Sequence, residues 1–243
     1  MIPKKIHFCW LSNDPFPEKI KRCIDSWKEN LPDYEIVRWD LHRFPLDQNI
    51  WVKQAFETKK YAFAADYIRL YALATEGGIY LDSDVEVLKS FDDLLDLPYF
   101  ICKENSPQGI EAATIGAEAG CEWIVKCLDY YKDKNFINNK GIQDIRVLPA
   151  ILKEVISNSY NLVEVQSPLQ VNKDMNCVYM LPSDYFSPKN YVSKRIKITK
   201  NTYSIHHFAS NWQPKWKKVL LRIWVPFSVK FPKLASQLKS LWH

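Results

Sequence analysis

The sequence predicts an α/β fold: a single domain with a mostly parallel, Rossmann-like central sheet and a helical appendage at its C-terminus. The chain opens with a strand, a helix and a second strand, an order typical of parallel sheets with nucleotide-site potential. Its 243 residues are 47% hydrophobic, which is ample for one sizeable core. We find no internal repeat and no linker before about residue 212. We therefore expect one domain over 1–212 and a separate segment over 213–243.

Apolar periodicity and turn residues predict the elements in order. A first strand covers 2–10 and ends at a turn containing Asn, Asp and Pro. A helix over 17–30 precedes a second strand over 34–39; its apolar positions at helical spacing are Ile20, Cys23, Ile24 and Trp27. A long helix over 62–76 ends at Gly77-Gly78, before a short strand over 79–81 and extended chain over 85–88. Later strands are expected over 99–102, 114–117 and 203–208, and later helices over 118–131 and 144–156.

Charge is divided unevenly along the chain. Residues 1–184 hold all 28 acidic residues and 21 basic ones, whereas residues 185–243 hold 12 Lys and Arg and no acid. The basic part suggests a local contact with an anionic partner. The six cysteines are scattered without metal-ligand spacing, which predicts reduced cysteines. No apolar stretch is long enough for a signal peptide or a membrane span, so we expect a cytoplasmic location.

The predicted strand over 79–81 runs directly into Asp82-Ser83-Asp84. Two carboxylates one residue apart, at a turn, can face a hard cation together and leave room for a diphosphate. A polar turn without function is the simpler explanation of such a pattern. On the preceding helix, Asp66 and Arg69 are three residues apart and share a face, where they could bind sugar hydroxyls or form a structural ion pair.

Two runs extend this pattern, Ala64-Ala65-Asp66-Tyr67-Ile68-Arg69 and Glu76-Gly77-Gly78-Ile79-Tyr80-Leu81-Asp82-Ser83-Asp84. Together they resemble the D-x-x-R…GG-x-Y-x-D-x-D block of the family 32 glycosyltransferases. That family includes capsule and lipopolysaccharide sugar transferases, yeast-type mannosyltransferases and, more distantly, the clostridial glucosylating toxins. The opening strand to Trp10 and the segment 204–212 resemble the family's first strand and its closing His-x-x-Gly-x-Trp segment. The resemblance implies a GT-A type fold.

Site roles follow from the resemblance residue by residue. Trp10 matches the aromatic residue that stacks on the donor base, and Asp66 and Arg69 match the pair that holds the donor sugar. Asp82 matches the first D-x-D carboxylate, near ribose, sugar and metal, with Ser83 beside it in the donor site. Asp84 matches the direct metal ligand, and Trp212 matches the residue that reaches the diphosphate.

The pair His206-His207 allows one metal ligand, because neighbouring strand residues point to opposite faces. The resemblance favours His207 over His206, because its five-residue distance to Trp212 suits the family pattern. A neutral imidazole beside carboxylates suits Mn²⁺ or Mg²⁺. Acceptor contacts have no clear motif; Gly141–Pro149 is a candidate by its position alone.

The C-terminal segment combines basic and apolar residues. From Trp212 onwards it holds seven Lys and Arg, and large apolar side chains recur every three or four positions. This pattern is typical of a helix lying in a membrane interface, which Pro226 and Pro232 would break into shorter pieces. A terminal helix packed on the domain is the alternative.

The sequence thus predicts a metal-dependent retaining glycosyltransferase that moves a hexosyl unit from a nucleotide-diphospho-sugar. The expected donor is a UDP-sugar, and the expected acceptor is a saccharide, such as one linked to polyprenyl diphosphate in capsule or lipopolysaccharide synthesis. The first alternative is a mannosyltransferase that uses GDP-mannose. The second is a non-catalytic protein whose basic arm binds nucleic acid or membrane, although no nucleic-acid module is visible and a nucleic-acid partner is not expected.

Overall fold

The computed structural model describes residues 1–12, 14–105 and 109–209. The strands are β1 (Lys5–Cys9), β2 (Glu35–Trp39), β3 (Gly78–Leu81), β4 (Val85–Val87), β5 (Tyr99–Phe100), β6 (Thr114–Ala117), β7 (Asn161–Glu164), β8 (Cys177–Met180) and β9 (Ser204–His206). The helices are α1 (Glu18–Asn30), α2 (Ile50–Glu57), α3 (Tyr61–Glu76), α4 (Glu122–Asp129) and α5 (Leu148–Ser159). The segment 213–243 and Trp212 lie outside the described residues.

A five-stranded sheet with the order β2-β1-β3-β6-β5 forms the centre of the fold. Strand β1 pairs in parallel with β2 and β3, whereas β6 runs antiparallel to β3 and β5. The predicted α/β fold is therefore confirmed, with a sheet that is parallel on one side and antiparallel on the other. Because parallel strands end at the same edge, the residues that follow β1 and β3, Trp10 and Asp82, are brought to one side of the sheet.

Helix α3 reverses directly into β3 through Gly77 and Gly78. Gly77 has a φ of 65°, and the amide of Gly77 donates a hydrogen bond to the carbonyl of Leu73, which closes the helix. A Cβ at Gly77 would lie 2.6 Å from the backbone nitrogen of Ala119, and one at Gly78 would lie 2.9 Å from the carbonyl oxygen of Lys5. Glycine is thus needed at both positions for conformation and for space. This tight connection sets α3 against the strand that carries the D-x-D motif.

The predicted buried face of α1 is confirmed, since Ile20, Cys23, Ile24 and Trp27 are all buried. The Trp27 side chain also donates a hydrogen bond of 2.7 Å to the carbonyl of Val85, which links this helix to β4. Two later helices are shorter or displaced relative to the prediction. Helix α4 covers Glu122–Asp129 within the expected 118–131, and α5 covers Leu148–Ser159, with Pro149 in its first turn, where the expected range was 144–156.

Helix α2 and strands β7 and β8 were not predicted. Helix α2 begins after Asn49, whose side-chain oxygen accepts a hydrogen bond from the amide of Val52 at 3.1 Å. An asparagine at the N-cap position was the sequence signal that could have indicated the start of α2. Strands β7 and β8 form a separate parallel pair with incomplete burial, so their apolar pattern is weak.

Strands β4 and β9 form a second, two-stranded antiparallel sheet. Their pairing places the chain from Ser204 to His206 beside the segment that follows the D-x-D motif. The late strand predicted over 203–208 is thus present, in shorter form. Within the described part of the chain, no helix is both long and apolar enough to cross a membrane.

Candidate functional site

An open cavity of about 610 Å³ lies at the sheet edge where β1 and β3 end. Its lining brings together every predicted site residue of the described chain except His207: Trp10, Asp66, Arg69, Asp82, Ser83 and Asp84. Residues from β1, α3, β3 and the segment after β9 meet there, although they are far apart in the chain. Its size is within the range typical of small-molecule sites.

Arg69 is almost completely buried at the base of this cavity. One terminal nitrogen donates a hydrogen bond to the Ala112 carbonyl, and the other lies 2.7 Å from Asp82 Oδ1 and 3.5 Å from Asp66 Oδ1. The guanidinium lies over the ring of Tyr80 at 4.5 Å from its centroid. Its Nε has no hydrogen-bond partner among the described residues. Arg69 therefore compensates two partly buried carboxylates and fixes their positions.

The Asp66 carboxyl group is unusual for an aspartate. Burial raises its pKa to about 7, because the charged form loses its hydration; the neighbouring Arg69 opposes this effect and Asp82 adds to it. The predicted shared face of Asp66 and Arg69 is confirmed by their 3.5 Å contact. Near neutral pH this group can thus accept or donate a hydrogen bond to a ligand hydroxyl.

The Asp82–Asp84 segment forms a turn between β3 and β4. The amide of Asp82 donates to the Ala113 carbonyl at 2.9 Å, and the amide of Val85 donates to the Asp82 carbonyl at 2.9 Å. Asp84 Oδ2 accepts a hydrogen bond of 2.6 Å from the amide of Ala209. Burial raises the pKa of Asp82, with Arg69 acting in the opposite direction. The turn directs both carboxylates into the cavity, as the motif predicts.

The histidine of this cluster is His206, which corrects the expectation that His207 faces the site. One ligand atom from each of Asp82, Asp84 and His206 lies within 4.8 Å of the others. His206 Nε2 is 3.6 Å from Asp84 Oδ1. His207 Nε2 instead lies 2.7 Å from Glu86 Oε2.

Strand register explains this placement. In the β4–β9 ladder Val85 is opposite His206, and Glu86 is opposite Ile205. Because side chains alternate along a strand, His207 points to the same face as Ile205 and therefore towards Glu86. The distance between His207 and Trp212 along the chain carries no information about this strand register.

Two carboxylates and an imidazole form a donor set that suits Mn²⁺, or Mg²⁺ with additional oxygen ligands. Their oxygen and nitrogen atoms come from two chain segments, the turn after β3 and the end of β9, and they line the same cavity. The residues present therefore fit a divalent cation. Its identity as Mn²⁺ or Mg²⁺ stays a prediction.

Trp10 lines the same cavity and comes directly after β1. Its indole nitrogen donates a hydrogen bond of 2.9 Å to the carbonyl of Asp14, and its ring contacts the edge of Phe16 at a centroid distance of 4.8 Å. These contacts hold the ring in place while part of it stays accessible, which is suitable for stacking on a base.

Two acidic residues of the cavity, Glu104 and Glu111, were missed by the sequence analysis. Glu111 is fully buried, and its Oε1 lies 3.1 Å from His206 Nδ1. Burial and the Glu111 charge raise the pKa of Glu104 to about 8. The available signal was a glutamate inside the apolar run Ile110–Ala113. Val147, Leu148 and Pro149 also line the cavity, at the end of the segment proposed by position for acceptor contacts.

Comparisons with known proteins agree with this site. Residues 17–101 match the family model described as "Glycosyltransferase sugar-binding region containing DXD motif". The match confirms the resemblance to D-x-D sugar transferases that the motifs predicted for this region.

Among curated proteins, the chain is 34% identical over 133 residues to inositol phosphoceramide mannosyltransferase 3 of Schizosaccharomyces pombe, covering 51% of this chain and 36% of that protein. It is 25% identical over 214 residues to the uncharacterized glycosyltransferase L373 of Acanthamoeba polyphaga mimivirus, covering 79% of this chain and 84% of that protein. Among solved structures, the PaToxG glycosyltransferase is similar at 25% identity and a TM-score of 0.48, covering 65% of this chain and 68% of that one. The chain spans about a third of the length of its mannosyltransferase relatives from Schizosaccharomyces pombe.

Proposed function

We propose that this protein is a metal-dependent retaining glycosyltransferase that moves a hexosyl unit from a nucleotide-diphospho-sugar to a saccharide or lipid-linked acceptor. The observation that carries the proposal is the convergence of Asp82, Asp84 and His206 in one cavity with Arg69 and Trp10. A diphosphate leaving group needs cationic stabilisation and a sugar needs hydrogen-bonding carboxylates, and this cavity offers groups for both tasks.

The chain's own residues would divide the work as follows. Asp82, Asp84 and His206 would hold a divalent cation, which supplies charge neutralisation for the leaving diphosphate. Arg69 would keep Asp66 and Asp82 in place, since one of its terminal nitrogens already contacts both carboxylates. Asp66 would orient the sugar by hydrogen bonding to its hydroxyls, which favours one reactive geometry.

Retention of the anomeric configuration is carried over from the family resemblance. It corresponds to attack by the acceptor hydroxyl on the face from which the diphosphate leaves. An inverting reaction would need a general base on the opposite face, and Glu104, a cavity carboxylate without another assigned role, is the residue to test for it. Proton NMR of the newly formed anomeric bond distinguishes the two. Inversion, together with loss of activity in Glu104→Gln, would contradict the proposed stereochemistry.

The donor is proposed at the level of a nucleotide-diphospho-sugar, with a UDP-sugar as the sequence-based expectation. GDP-mannose is the alternative, and the names of two Schizosaccharomyces pombe relatives, which are inositol phosphoceramide mannosyltransferases, favour it. Those names also favour a lipid-linked acceptor over a free saccharide. Capsule or lipopolysaccharide synthesis remains a hypothesis from the resemblance.

The decisive experiment is hydrolysis of a panel of UDP- and GDP-sugars with Mn²⁺ in the absence of acceptor. The wild type is expected to release a nucleoside diphosphate from one donor, and Asp84→Ala should lose that activity while keeping its circular dichroism spectrum. Asp25→Ala, an exposed carboxylate on α1 outside the cavity, is the matched control. Full activity of Asp84→Ala would contradict the metal assignment, and no hydrolysis of any donor would contradict the proposed function.

We also propose that residues 213–243 bring the enzyme to the anionic inner surface of the cytoplasmic membrane. Each Lys or Arg near such a surface contributes about 1 kcal/mol of attraction. Flotation with vesicles of anionic phospholipid tests this, comparing the full chain with a chain truncated after Trp212. Equal flotation of the two proteins would refute the membrane role of the segment.

A further inference from the structure

A short segment before β6, Glu111–Ala113, contacts three separate groups of the candidate site. The Ala112 carbonyl accepts a hydrogen bond from Arg69, and the Ala113 carbonyl accepts one from the amide of Asp82. The Glu111 side chain contacts His206. Since these groups come from α3, β3 and β9, this segment connects the parts of the site that the chain order separates.

Glu111 makes the side-chain contact of this segment. The residue is 0% exposed, and its Oε1 accepts a hydrogen bond of 2.8 Å from the amide of Ala113, which holds the carboxylate in one orientation. The same oxygen is 3.1 Å from His206 Nδ1. Its other oxygen, Oε2, has no hydrogen-bond partner among the described residues. The carboxylate is thus held in a fixed position beside the imidazole.

The contact determines which nitrogen of His206 is available to the cavity. An ionised carboxylate only accepts hydrogen bonds, so Nδ1 carries the proton that it donates to Glu111. In the neutral imidazole, Nε2 then presents a lone pair, and it lies 3.6 Å from Asp84 Oδ1. The Nε2 atom thus points to the place where the two aspartates converge.

We propose that Glu111 is a positioning residue that fixes the ring orientation and the Nδ1–H tautomer of His206 for binding of a divalent cation. This inference rests on the metal site of the proposed function. Glu111 acts through the imidazole and takes no place among the ligands. Carboxylates that accept a hydrogen bond from a ligating histidine in this way change metal affinity by about 10–100-fold when they are removed.

Two other roles for Glu111 would produce different results. As part of a purely structural ion pair, it would affect stability and leave cation affinity unchanged. Glu104, Glu111 and His206 also form a group whose ligand atoms lie within 4.8 Å of one another. If Glu111 were a direct ligand in that group, the protein would bind a second cation.

The test measures Mn²⁺ binding without nucleotide, from the electron paramagnetic resonance signal of free Mn²⁺. Wild type is expected to bind one ion. Glu111→Ala should weaken binding about 10–100-fold, and His206→Ala at least as much. Glu111→Gln should lose less Mn²⁺ affinity than Glu111→Ala. The side-chain amide oxygen of the glutamine still accepts a hydrogen bond from Nδ1–H of His206, although it carries no charge. Glu86→Gln, which removes the carboxylate beside His207, is the matched control and should stay within twofold of wild type.

Nitrogen-15 NMR of the histidine rings supplies a readout that does not need the metal. At a pH where the ring is neutral, His206 should show the Nδ1–H tautomer in the wild type and in Glu111→Gln, and a mixture of tautomers in Glu111→Ala. If Glu111→Ala fails to fold, Glu111→Gln with its smaller loss of affinity carries the test.

The outcomes separate this inference from the proposed function. If Asp84→Ala and His206→Ala lose Mn²⁺ while both Glu111 variants bind as wild type does, the inference is overturned and the metal site stands. Two bound ions would also overturn it, since Glu111 would then be a ligand. If the wild type binds no Mn²⁺ and Asp84→Ala is indistinguishable from it, the metal site of the proposed function fails and the inference fails with it.

Discussion

Replacing Asp66 by asparagine should stabilise the protein at alkaline pH. The carboxyl group has a pKa of 3.8 when it is not perturbed and a pKa of about 7 in the folded protein, where burial disfavours the charged form. Between these values the folded chain binds more protons than the unfolded chain. The free energy of unfolding therefore falls as the pH rises through this window. An asparagine has no proton to lose, so it escapes this penalty.

The two pKa values set the size of the effect. One pKa unit corresponds to about 1.4 kcal/mol, so the full shift amounts to roughly 4 kcal/mol. Part of that penalty is already present at pH 5, because the unfolded carboxyl group is ionised there. Between pH 5 and pH 8 the stability of Asp66→Asn should therefore rise by about 2–3 kcal/mol relative to wild type.

Urea unfolding at half-unit pH steps, with EDTA and without nucleotide, measures this difference. Asp129→Asn, which alters an exposed carboxylate on α4, is the control and should follow the wild-type profile. Parallel profiles for Asp66→Asn and wild type between pH 5 and 8 would refute the reasoning. A difference that grows towards acid pH would refute it too. The variant should be poor in transfer, because the donor sugar loses a carboxylate partner.

Three further predictions concern the base site, the core and the cation. Trp10→Ala should raise the KM for the nucleotide sugar about 10–100-fold with a smaller change in kcat, because a stacked base contributes roughly 1–3 kcal/mol; an unchanged KM in steady-state kinetics would exclude base stacking. Gly116→Ala places a Cβ 2.2 Å from the Phe100 ring and should cost about 1–3 kcal/mol in urea unfolding, partly recovered in the double variant with Phe100→Leu. Dialysis against EDTA should abolish turnover and added Mn²⁺ should restore it; turnover that persists in EDTA would contradict a cation at Asp84.

Local patterns in the sequence were sufficient for much of the fold. Helical periodicity correctly predicted α1 and its buried face, and the glycine pair correctly predicted where α3 ends. The strand–helix–strand opening correctly predicted parallel pairing of β1 and β2. These features depend on neighbours within a few positions, so propensity and spacing determine them. The antiparallel half of the sheet depends on pairing between distant segments, and no local signal specified it.

The candidate site also has some features that follow from local sequence and others that depend on contacts between distant segments. By itself the sequence determined that Asp66 and Arg69 share a helix face and that Asp82 and Asp84 follow a buried strand, because both relations span four residues or fewer. Tertiary structure alone decided between His206 and His207, since the choice depends on the register of β9 against β4. It alone brought Glu111 to His206, 95 residues away along the chain. Residues that far apart meet only when the packing of the whole core sets which strand edges are adjacent.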